Sequence, residues 1–335
     1  MSTTGVLLVQ LGTPDSPRVG DVRRYLREFL GDPRVMDMPA PIRLLVLYGI
    51  ILPFRPRRSA EAYEKIWTAD GSPLLLHTRS LADALAARLG VVVEVGMRYG
   101  SPPIGAALDR LAEAGVDRIV VVPLFPQYSS AATGSAVAKV FEELSARPVI
   151  PAVSVIGDFH AHPGFVDAVA EVARGALDAF GPDHVLFSYH GLPERRLDDP
   201  GGRCLREGCC DEVREANRFC YRAQCHATTA AAAAALDLPP GSYGTSFQSR
   251  MAGQRWIEPY TDRTLVELYE AGVRRLAVLT PSFVADCLET LEEIGIRARE
   301  QWLDLGGEDL LLVPCVNDTE VWVEGLARVV EGVLR

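Results

Sequence analysis

Short apolar runs that end in glycine, proline or serine alternate with longer amphipathic stretches along this chain. Apolar strands separated by amphipathic helices are typical of parallel sheets that are covered by helices on both faces. The pattern therefore predicts an α/β protein. In the first half it predicts strands at Val6–Leu11, Val91–Val95 and Arg118–Pro123, and helices at Leu81–Leu89, Ile104–Ala114 and Ser135–Ala146.

The second half of the chain repeats the order of the first. Three segments, each an apolar strand that breaks into a polar loop, have counterparts there. The pairs are VLLVQLGTP from Val6 with VLFSYHGLP from Val185, Gly96-Met-Arg-Tyr with Ser246-Phe-Gln-Ser-Arg, and RIVVVPLFPQYS from Arg118 with RLAVLTPSFVAD from Arg275. The repeat predicts two related doubly wound domains, residues 1–150 and 151–335. We expect an active-site cleft between them, because such sheets bind ligands outside the carboxyl ends of their strands.

Charge and composition exclude some classes of function. The chain has 335 residues and a formal charge of -10, so it should repel phosphate backbones, and nucleic acid is not an expected partner. No Gly-x-Gly-x-x-Gly follows a predicted strand, which disfavours a strict dinucleotide-binding fold. The N-terminal apolar run has no basic region before it and is followed by glycine and proline. It predicts a first strand rather than a signal peptide, and hence a cytoplasmic protein.

The longest apolar run, Leu44–Phe54, is too short to span a bilayer, which takes roughly 20 residues. It lies between Arg43 and a basic group at Arg55, Arg57 and Arg58. One interpretation is a flap that touches lipid or an apolar ligand, and so a peripheral contact with the inner face of the membrane. The other is a buried helix whose arginines extend their charged ends to solvent.

A histidine lies at the end of an apolar strand in Ser188-Tyr189-His190-Gly191-Leu192-Pro193. A histidine there can accept a proton near neutral pH or bind a metal, although it can also cap the backbone. The Gly-Leu-Pro sequence predicts a turn that presents the ring outward, which favours a functional role for His190.

Carboxylates follow the strand Leu276–Thr280. Asp286, Glu289 and Glu293 are three or four residues apart, which places them on one face of a predicted helix and suits a divalent cation. The alternative is a solvated acidic first turn that complements the helix dipole. We prefer that alternative for Glu292 but not for Glu289.

Polar and aromatic residues follow the strands of the first half. Arg98 is suited to binding a ligand carboxylate through two hydrogen bonds, and Tyr99 and Tyr128 offer apolar faces with polar tips. Ser129 and the Thr133-Gly134-Ser135 sequence add hydroxyls. A Thr-Gly-Ser sequence before a helix is also a common N-cap.

Five of the seven cysteines fall within 22 residues, at Cys204, Cys209, Cys210, Cys220 and Cys225. The segment is otherwise polar, so burial of all five as small apolar residues is not expected. In a chain without a secretory signal the thiols should be reduced, and reduced thiols bind soft metals. Four of them suit zinc or a [2Fe-2S] cluster, and the absence of Cys-x2-Cys pairs favours the cluster. Cys209 and Cys210 are adjacent, so we expect their side chains to point apart and one to be spare.

Many motifs in the same order resemble those of the ferrochelatases, which insert ferrous iron into a porphyrin in the last step of heme biosynthesis. The resemblance covers nearly the whole chain. Its motifs are LLVQLGTPDSP at the N-terminus, Gly71-Ser72-Pro73-Leu74, Gly96–Tyr99, Pro126–Ser129, Ser188–Pro193, Ser246–Arg250 with Trp256, Asp286–Glu293 and VPCVND. It implies two Rossmann-like domains with a porphyrin cleft between them.

The resemblance also implies roles for individual residues. The family's histidine corresponds to His190 and its active-site glutamate to Glu289, while Asp286 matches a neighbouring acidic position. His190 and Glu289 would then handle the pyrrole protons and the Fe2+ substrate. Arg98, Tyr99, Tyr128, Ser129 and Trp256 would contact the porphyrin, with protoporphyrin IX as the expected substrate. Some members have a histidine where this chain has Cys287, so a role for that position in passing metal is not carried over.

The chain departs from the usual family pattern at residues 198–226. There a longer, cysteine-rich stretch replaces a short Gly-Asp-Pro-Tyr segment. Ferrochelatases with clusters commonly place the cysteines near the C-terminus, so this chain resembles a small bacterial subset with an internal set. Two rival interpretations are a chelatase for another tetrapyrrole and a non-catalytic iron–sulfur or heme-binding protein.

Overall fold

The computed structural model describes residues 3–197, 208–251 and 254–334. Within these ranges the strands are β1 (Thr4–Thr13), β2 (Val92–Gly100), β3 (Arg118–Pro123), β4 (Ala152–Val155), β5 (His184–His190), β6 (Tyr243–Gln248), β7 (Arg275–Leu279) and β8 (Asp309–Leu312). The α-helices are α1 (Val19–Gly31), α2 (Ala40–Val46), α3 (Leu52–Ile66), α4 (Pro73–Leu89), α5 (Ile104–Glu113), α6 (Ser135–Ser145), α7 (Pro163–Phe180), α8 (Tyr221–Ala235), α9 (Thr261–Glu270), α10 (Arg299–Leu305) and α11 (Glu320–Leu334). Three further segments are π-helical: Leu47–Ile51, Ser130–Gly134 and Leu288–Ala298.

The strands form two four-stranded parallel sheets with the same internal order. The first sheet has the order β2-β1-β3-β4 and the second the order β6-β5-β7-β8. In each half the first strand of the sequence lies inside the sheet, and the next strand pairs on one side of it. The predicted α/β fold, with two related parallel sheets flanked by helices, is confirmed.

Each sheet has its own apolar core. In the first, Leu7 and Val9 of β1 pack with Leu108 and Leu111 of α5, and all four are almost completely buried. The core of the second joins its strands to the π-helical segment and α10, where Trp302 is fully buried. Burial of both strands and helix faces explains why the strands appear in the sequence as continuous apolar runs.

Two compact units divide the chain. The first comprises Met1–Phe125, Ser129–Asp158 and Leu326–Arg335, and the second comprises Pro126–Tyr128 and Phe159–Gly325. The sequence predicted the boundary around Pro148–Gly157 or a little later, with residue 150 as the nominal division, and the first unit continues to Asp158. β4 pairs with β3, so Ala152–Val155 belong to the first sheet.

The apolar run Leu44–Phe54 is helical and largely uncovered. It comprises the end of α2, a π-helical turn and the start of α3. Leu47 and Leu52 are buried, but Leu45 is 71% exposed and Phe54 is 76% exposed. The interpretation as a buried helix is therefore wrong for most of the run. No helix among the described residues is long and apolar enough to cross a membrane.

Candidate active site and cysteine-rich segment

His190 is the last residue of β5, an inner strand of the second sheet, and its side chain is half-buried. Its backbone is held from two sides. The backbone N–H donates to Oγ of Ser282 at 3.0 Å, and the carbonyl oxygen accepts from the hydroxyl of Tyr221 at 2.8 Å. Because both backbone groups are bonded, the strand end presents the imidazole from a fixed position.

One hydrogen bond defines the tautomer of the neutral His190 ring. Nδ1 lies 2.7 Å from the carbonyl oxygen of Gly191. A carbonyl oxygen can only accept, so Nδ1 must carry the proton and Nε2 is left as the nitrogen with a lone pair. An imidazole fixed in this way is suited to accepting a proton or binding a metal through Nε2.

Gly191 allows the backbone after His190 to approach its neighbours closely. A Cβ at this position would lie 2.7 Å from the carbonyl oxygen of Gln248 and 3.2 Å from the indole ring of Trp256. The sequence predicted a turn here. The structure adds that Trp256, which is 6% exposed, packs directly on the residue after His190.

Gln248 connects His190 with the acidic segment. It ends β6 opposite His190 in the sheet register and is 3% exposed. Its side-chain oxygen accepts from Ser188 at 2.9 Å, while its Nε2 donates to the backbone carbonyl oxygen of Glu289 at 2.8 Å. The amide thereby holds the start of the acidic segment at the same end of the sheet as His190.

The acidic residues do not form the single helical face that their spacing predicted. The segment Leu288–Ala298 is π-helical, so its backbone bonds reach five residues back, and Asp286 precedes it. Glu289 is half-buried, and its carboxylate faces the thiol of Cys287. Burial, and then the charge of Glu289, raises the pKa of the Cys287 thiol.

Three other carboxylates in this segment have protein partners. Asp286 is buried, accepts from Asn317 Nδ2 at 2.8 Å and also accepts from the hydroxyl of Thr290 at 3.2 Å. Glu293 accepts from the hydroxyl of Ser249 at 2.5 Å and from its backbone N–H at 2.8 Å. Glu292, expected to be solvated, is 5% exposed and pairs with Arg297 at 2.8 Å, so that expectation is wrong.

Arg98 and Tyr99 lie near the end of β2 in the first unit and share an internal carboxylate. Asp32 accepts from Arg98 Nη2 at 2.6 Å, from the Tyr99 hydroxyl at 2.8 Å and from the Ser135 hydroxyl at 2.5 Å. Burial raises the pKa of Asp32, but these bonds and the charge of Arg98 outweigh it, and the net shift is downward. The sequence expected Arg98 to bind a ligand carboxylate, and here its partner is Asp32.

Ser129 makes its contacts within the first unit, and Tyr128 makes its contacts within the second. Ser129 caps the π-helical turn Ser130–Gly134 by accepting from the backbone N–H of Ala132 at 3.1 Å. The ring of Tyr128 packs on Phe219 with centroids 5.3 Å apart, and its backbone N–H donates to Gln224 at 2.6 Å.

The cysteine-rich segment brings thiols together in the second unit, but Cys204 lies outside the described residues. Cys209 and Cys210 have their Sγ atoms 3.5 Å apart, so the expectation that they point apart is wrong. A turn that begins at Gly208, with φ of 73°, replaces the extended backbone that would separate them. A hydrogen bond with Cys220, then burial and Cys209, raises the pKa of Cys210, against the charge of Arg222.

Cys225 differs from the other described thiols of this segment. It lies on α8, is fully buried, forms a hydrogen bond with Tyr221 and is close enough to Cys220 for their charges to interact. Among the described residues, no group of three or more His, Cys, Asp or Glu side chains is arranged to hold a metal ion.

Several residues that hold this site were missed in the sequence. Asp32 stands alone between two predicted elements, so nothing in the sequence links it to Arg98. Tyr221 and Gln248 act on backbone atoms of residues 31 and 41 positions away, which no local pattern indicates. Arg222 and His226, by contrast, lie four residues apart beside the cysteines, and that spacing could have been recognised.

Solved structures of SirB from Bacillus subtilis have a similar fold. SirB from Bacillus subtilis with Fe3+ has a TM-score of 0.55 and 12% identity, and the match covers 99% of this chain and 95% of that one. The sirohydrochlorin chelatase SirB from Bacillus subtilis subspecies spizizenii in complex with cobalt also has a TM-score of 0.55 and 12% identity, with 99% and 96% covered. At this identity the likeness shows the chelatase fold.

The family is shown by the sequence comparisons. The ferrochelatase family model matches residues 3–334. The ferrochelatase of Coxiella burnetii (strain CbuK_Q154) is 47% identical over 336 residues, covering 99% of this chain and 94% of its own. The ferrochelatase of Legionella pneumophila (strain Lens) is 46% identical over 329 residues, covering 97% and 98%. The chain belongs to the ferrochelatase family and is an enzyme, a metal chelatase.

Proposed function

We propose that this enzyme inserts Fe2+ into protoporphyrin IX at a site formed by His190 and Glu289. Insertion of ferrous iron into a porphyrin in heme biosynthesis is the activity of its family. The observation that carries the assignment of His190 is the hydrogen bond from Nδ1 to the carbonyl oxygen of Gly191 at 2.7 Å. It leaves Nε2 as the acceptor nitrogen of the neutral ring.

The reaction requires two pyrrole protons to leave as one Fe2+ enters, so charge is conserved when both protons reach protein groups or solvent. A free porphyrin is planar, and binding it in a bent form would use contact energy to approach the transition state. His190 Nε2 would accept a pyrrole proton, and the Glu289 carboxylate would bind Fe2+ or take the second proton. Asp286 and Glu293 support this site by holding the polypeptide around Glu289.

The porphyrin contacts are proposed from Trp256, Tyr128, Ser129, Arg98 and Tyr99. Trp256 is supported most directly, because its ring packs on Gly191 beside His190. Arg98 and Tyr99 contribute chiefly by ordering the end of β2, since Asp32 already accepts hydrogen bonds from both.

The test of the assignment is steady-state Fe2+ insertion by His190→Ala, followed by the loss of porphyrin fluorescence. We expect a decrease in kcat of about 10²–10⁴-fold, the usual contribution of a general base. His184→Gln is the matched control, because His184 begins the strand that His190 ends. Full activity in His190→Ala would exclude the proposed role. Comparing protoporphyrin with coproporphyrin in the same assay tests the proposed substrate.

A [2Fe-2S] cluster on the cysteine-rich segment is the second part of the proposal. The Sγ atoms of Cys209 and Cys210 are 3.5 Å apart. Two thiolates on one tetrahedral metal, at bond lengths of about 2.3 Å, lie roughly 3.8 Å apart, so the pair fits a shared metal. Cys220 hydrogen-bonds to Cys210 and extends the set. The cluster would cross-link the segment to the start of α8, which is a structural role.

Anaerobic purification tests the cluster. The protein should absorb in the visible and contain about two irons and two sulfides per chain. A colourless protein with one zinc would overturn the cluster in favour of the zinc alternative.

The exposed apolar run Leu44–Phe54 is proposed as a peripheral membrane contact. Leu45 and Phe54 project into solvent beside a basic group of arginines, a combination that suits an anionic lipid surface. Co-sedimentation with vesicles of anionic phospholipid should decrease in a Leu45→Ser, Phe54→Ser double variant. Equal co-sedimentation of both proteins would count against this contact.

A further inference from the structure

A cavity of about 510 Å³ lies within the second unit, beside the cysteine-rich segment. Cys209 and Cys210 line one side of it, while Arg222 and His226 of α8 line another. Its polar lining also includes Thr229 of α8, Thr245 and Tyr243 of β6, and Asp211. The cavity is therefore bounded by thiols and by nitrogen-bearing side chains of a neighbouring helix.

Two residues that line this cavity each have a buried nitrogen without a hydrogen-bond partner among the described residues: Nε of Arg222 and Nε2 of His226. Buried polar atoms are nearly always hydrogen-bonded in native proteins, so these two nitrogens lack a group that would complete them. Arg222 and His226 are four residues apart on α8 and so share a face of that helix.

The guanidinium group of Arg222 contacts a thiol of the cavity. Nη1 of Arg222 lies 3.3 Å from Sγ of Cys210. Asp211, which also lines the cavity, is exposed and its charge is therefore screened by solvent. Arg222 is thus the main fixed charge beside the thiols.

We propose that Arg222 and His226 face the sulfur atoms of the cluster, and that the charge of Arg222 raises its reduction potential. This inference rests on the [2Fe-2S] cluster proposed above. A one-electron reduction adds negative charge to a cluster held by thiolates, so a half-buried cation and N–H donors stabilise the reduced state. Arg222 and His226 are positioning residues that tune the cluster rather than ligands to it.

The experiment is a dithionite titration of the cluster in anaerobic protein, followed by visible absorption and electron paramagnetic resonance. Arg222→Gln should lower the equilibrium constant for reduction about tenfold, which is 59 mV for a one-electron couple. Arg222→Lys keeps the charge and should stay within about threefold of the wild type. His226→Leu removes an N–H donor and should lower the equilibrium constant for reduction about threefold.

Arg218→Gln is the matched control. It removes the same charge from the same segment, but Arg218 is exposed and its guanidinium lies over the ring of Phe219 at 4.5 Å. We expect the reduction potential of the cluster in Arg218→Gln to equal that in the wild type. A purely structural role for Arg222 would change cluster content or stability without changing the potential.

The outcomes separate this inference from the cluster itself. A protein without iron and sulfide overturns both. A normal cluster whose potential is the same in the wild type and Arg222→Gln overturns only the role of Arg222. If Arg222→Gln does not retain a cluster, Arg222→Lys and His226→Leu provide the test. The proposed role of Arg222 and His226 would be contradicted if His226→Leu had the wild-type potential and Arg222→Lys had an equilibrium constant for reduction about tenfold lower than the wild type.

Discussion

At the residue scale, Asp32 is the carboxylate on which the polar network of the first unit depends. It accepts hydrogen bonds from Arg98, Tyr99 and Ser135 while buried. In Asp32→Asn the side-chain amide would replace a carboxylate that accepts from three donors, and Arg98 would lose its counter-charge. We expect a loss of about 2 kcal/mol in the free energy of unfolding at pH 7, measured by urea unfolding.

The pH dependence of that loss follows from the lowered pKa of Asp32. A carboxyl whose pKa is lower in the folded state contributes its full stabilisation of the fold at pH values above its ordinary pKa of 3.8. That contribution is lost as the pH falls through the pKa of the folded state. The difference between wild type and Asp32→Asn should therefore shrink below pH 3.8. Asp70→Asn, at an exposed position, serves as the control. A difference that stays constant down to low pH would contradict the ionic role.

Cys225 is the cysteine whose surroundings least suit a metal ligand. It is fully buried on α8, and its thiol forms a hydrogen bond with Tyr221. Cys225→Ala should therefore retain the visible absorption and iron content of the wild type, whereas Cys209→Ala should lose both. Loss of the chromophore in Cys225→Ala would make it a ligand instead.

At the element scale, Gln248 couples the end of β6 to the π-helical segment that carries Glu289. Gln248→Ala removes the amide that donates to the Glu289 carbonyl oxygen at 2.8 Å. We expect kcat for Fe2+ insertion to fall roughly tenfold or more through misplacement of the carboxylate, with little change in the KM for porphyrin.

Gln301→Ala is a matched control for this variant, since Gln301 also donates to a backbone carbonyl, that of Asp262 at 2.7 Å, and lies on α10. It should retain wild-type kcat. A rise in the KM for porphyrin at unchanged kcat in Gln248→Ala would show that the amide serves porphyrin binding rather than Glu289.

Elements were more predictable than their contacts. The strand at Arg118–Pro123 has the predicted bounds, because a run of apolar residues between turn residues has few alternatives in a parallel sheet. The π-helical form of Leu288–Ala298 was not predictable, since its spacing of carboxylates is equally compatible with an α-helix. The partners of Arg98 and His190 come from residues far along the chain, so local patterns identify the residue types but not the bonds.

At the scale of the whole molecule, the duplication places different chemistry in two units of the same sheet order. The second unit contains His190, Glu289 and the described cysteines of the cysteine-rich segment, and the first contains the network of Arg98. Within the second unit, α8 contacts both proposed sites, because Tyr221 donates a hydrogen bond to the His190 carbonyl oxygen while Arg222 lies beside Cys210. A shared helix makes the cysteine-rich segment part of the support of His190.

The central claim is that His190 and Glu289 act in the same step of Fe2+ insertion. The most direct measurement is kcat for His190→Ala, Glu289→Gln and the double variant, with porphyrin binding measured separately. Residues that act as a unit have non-additive effects, so the double variant should lose little more activity than the more impaired single variant. A double variant whose loss equals the product of the two single losses would contradict the claim.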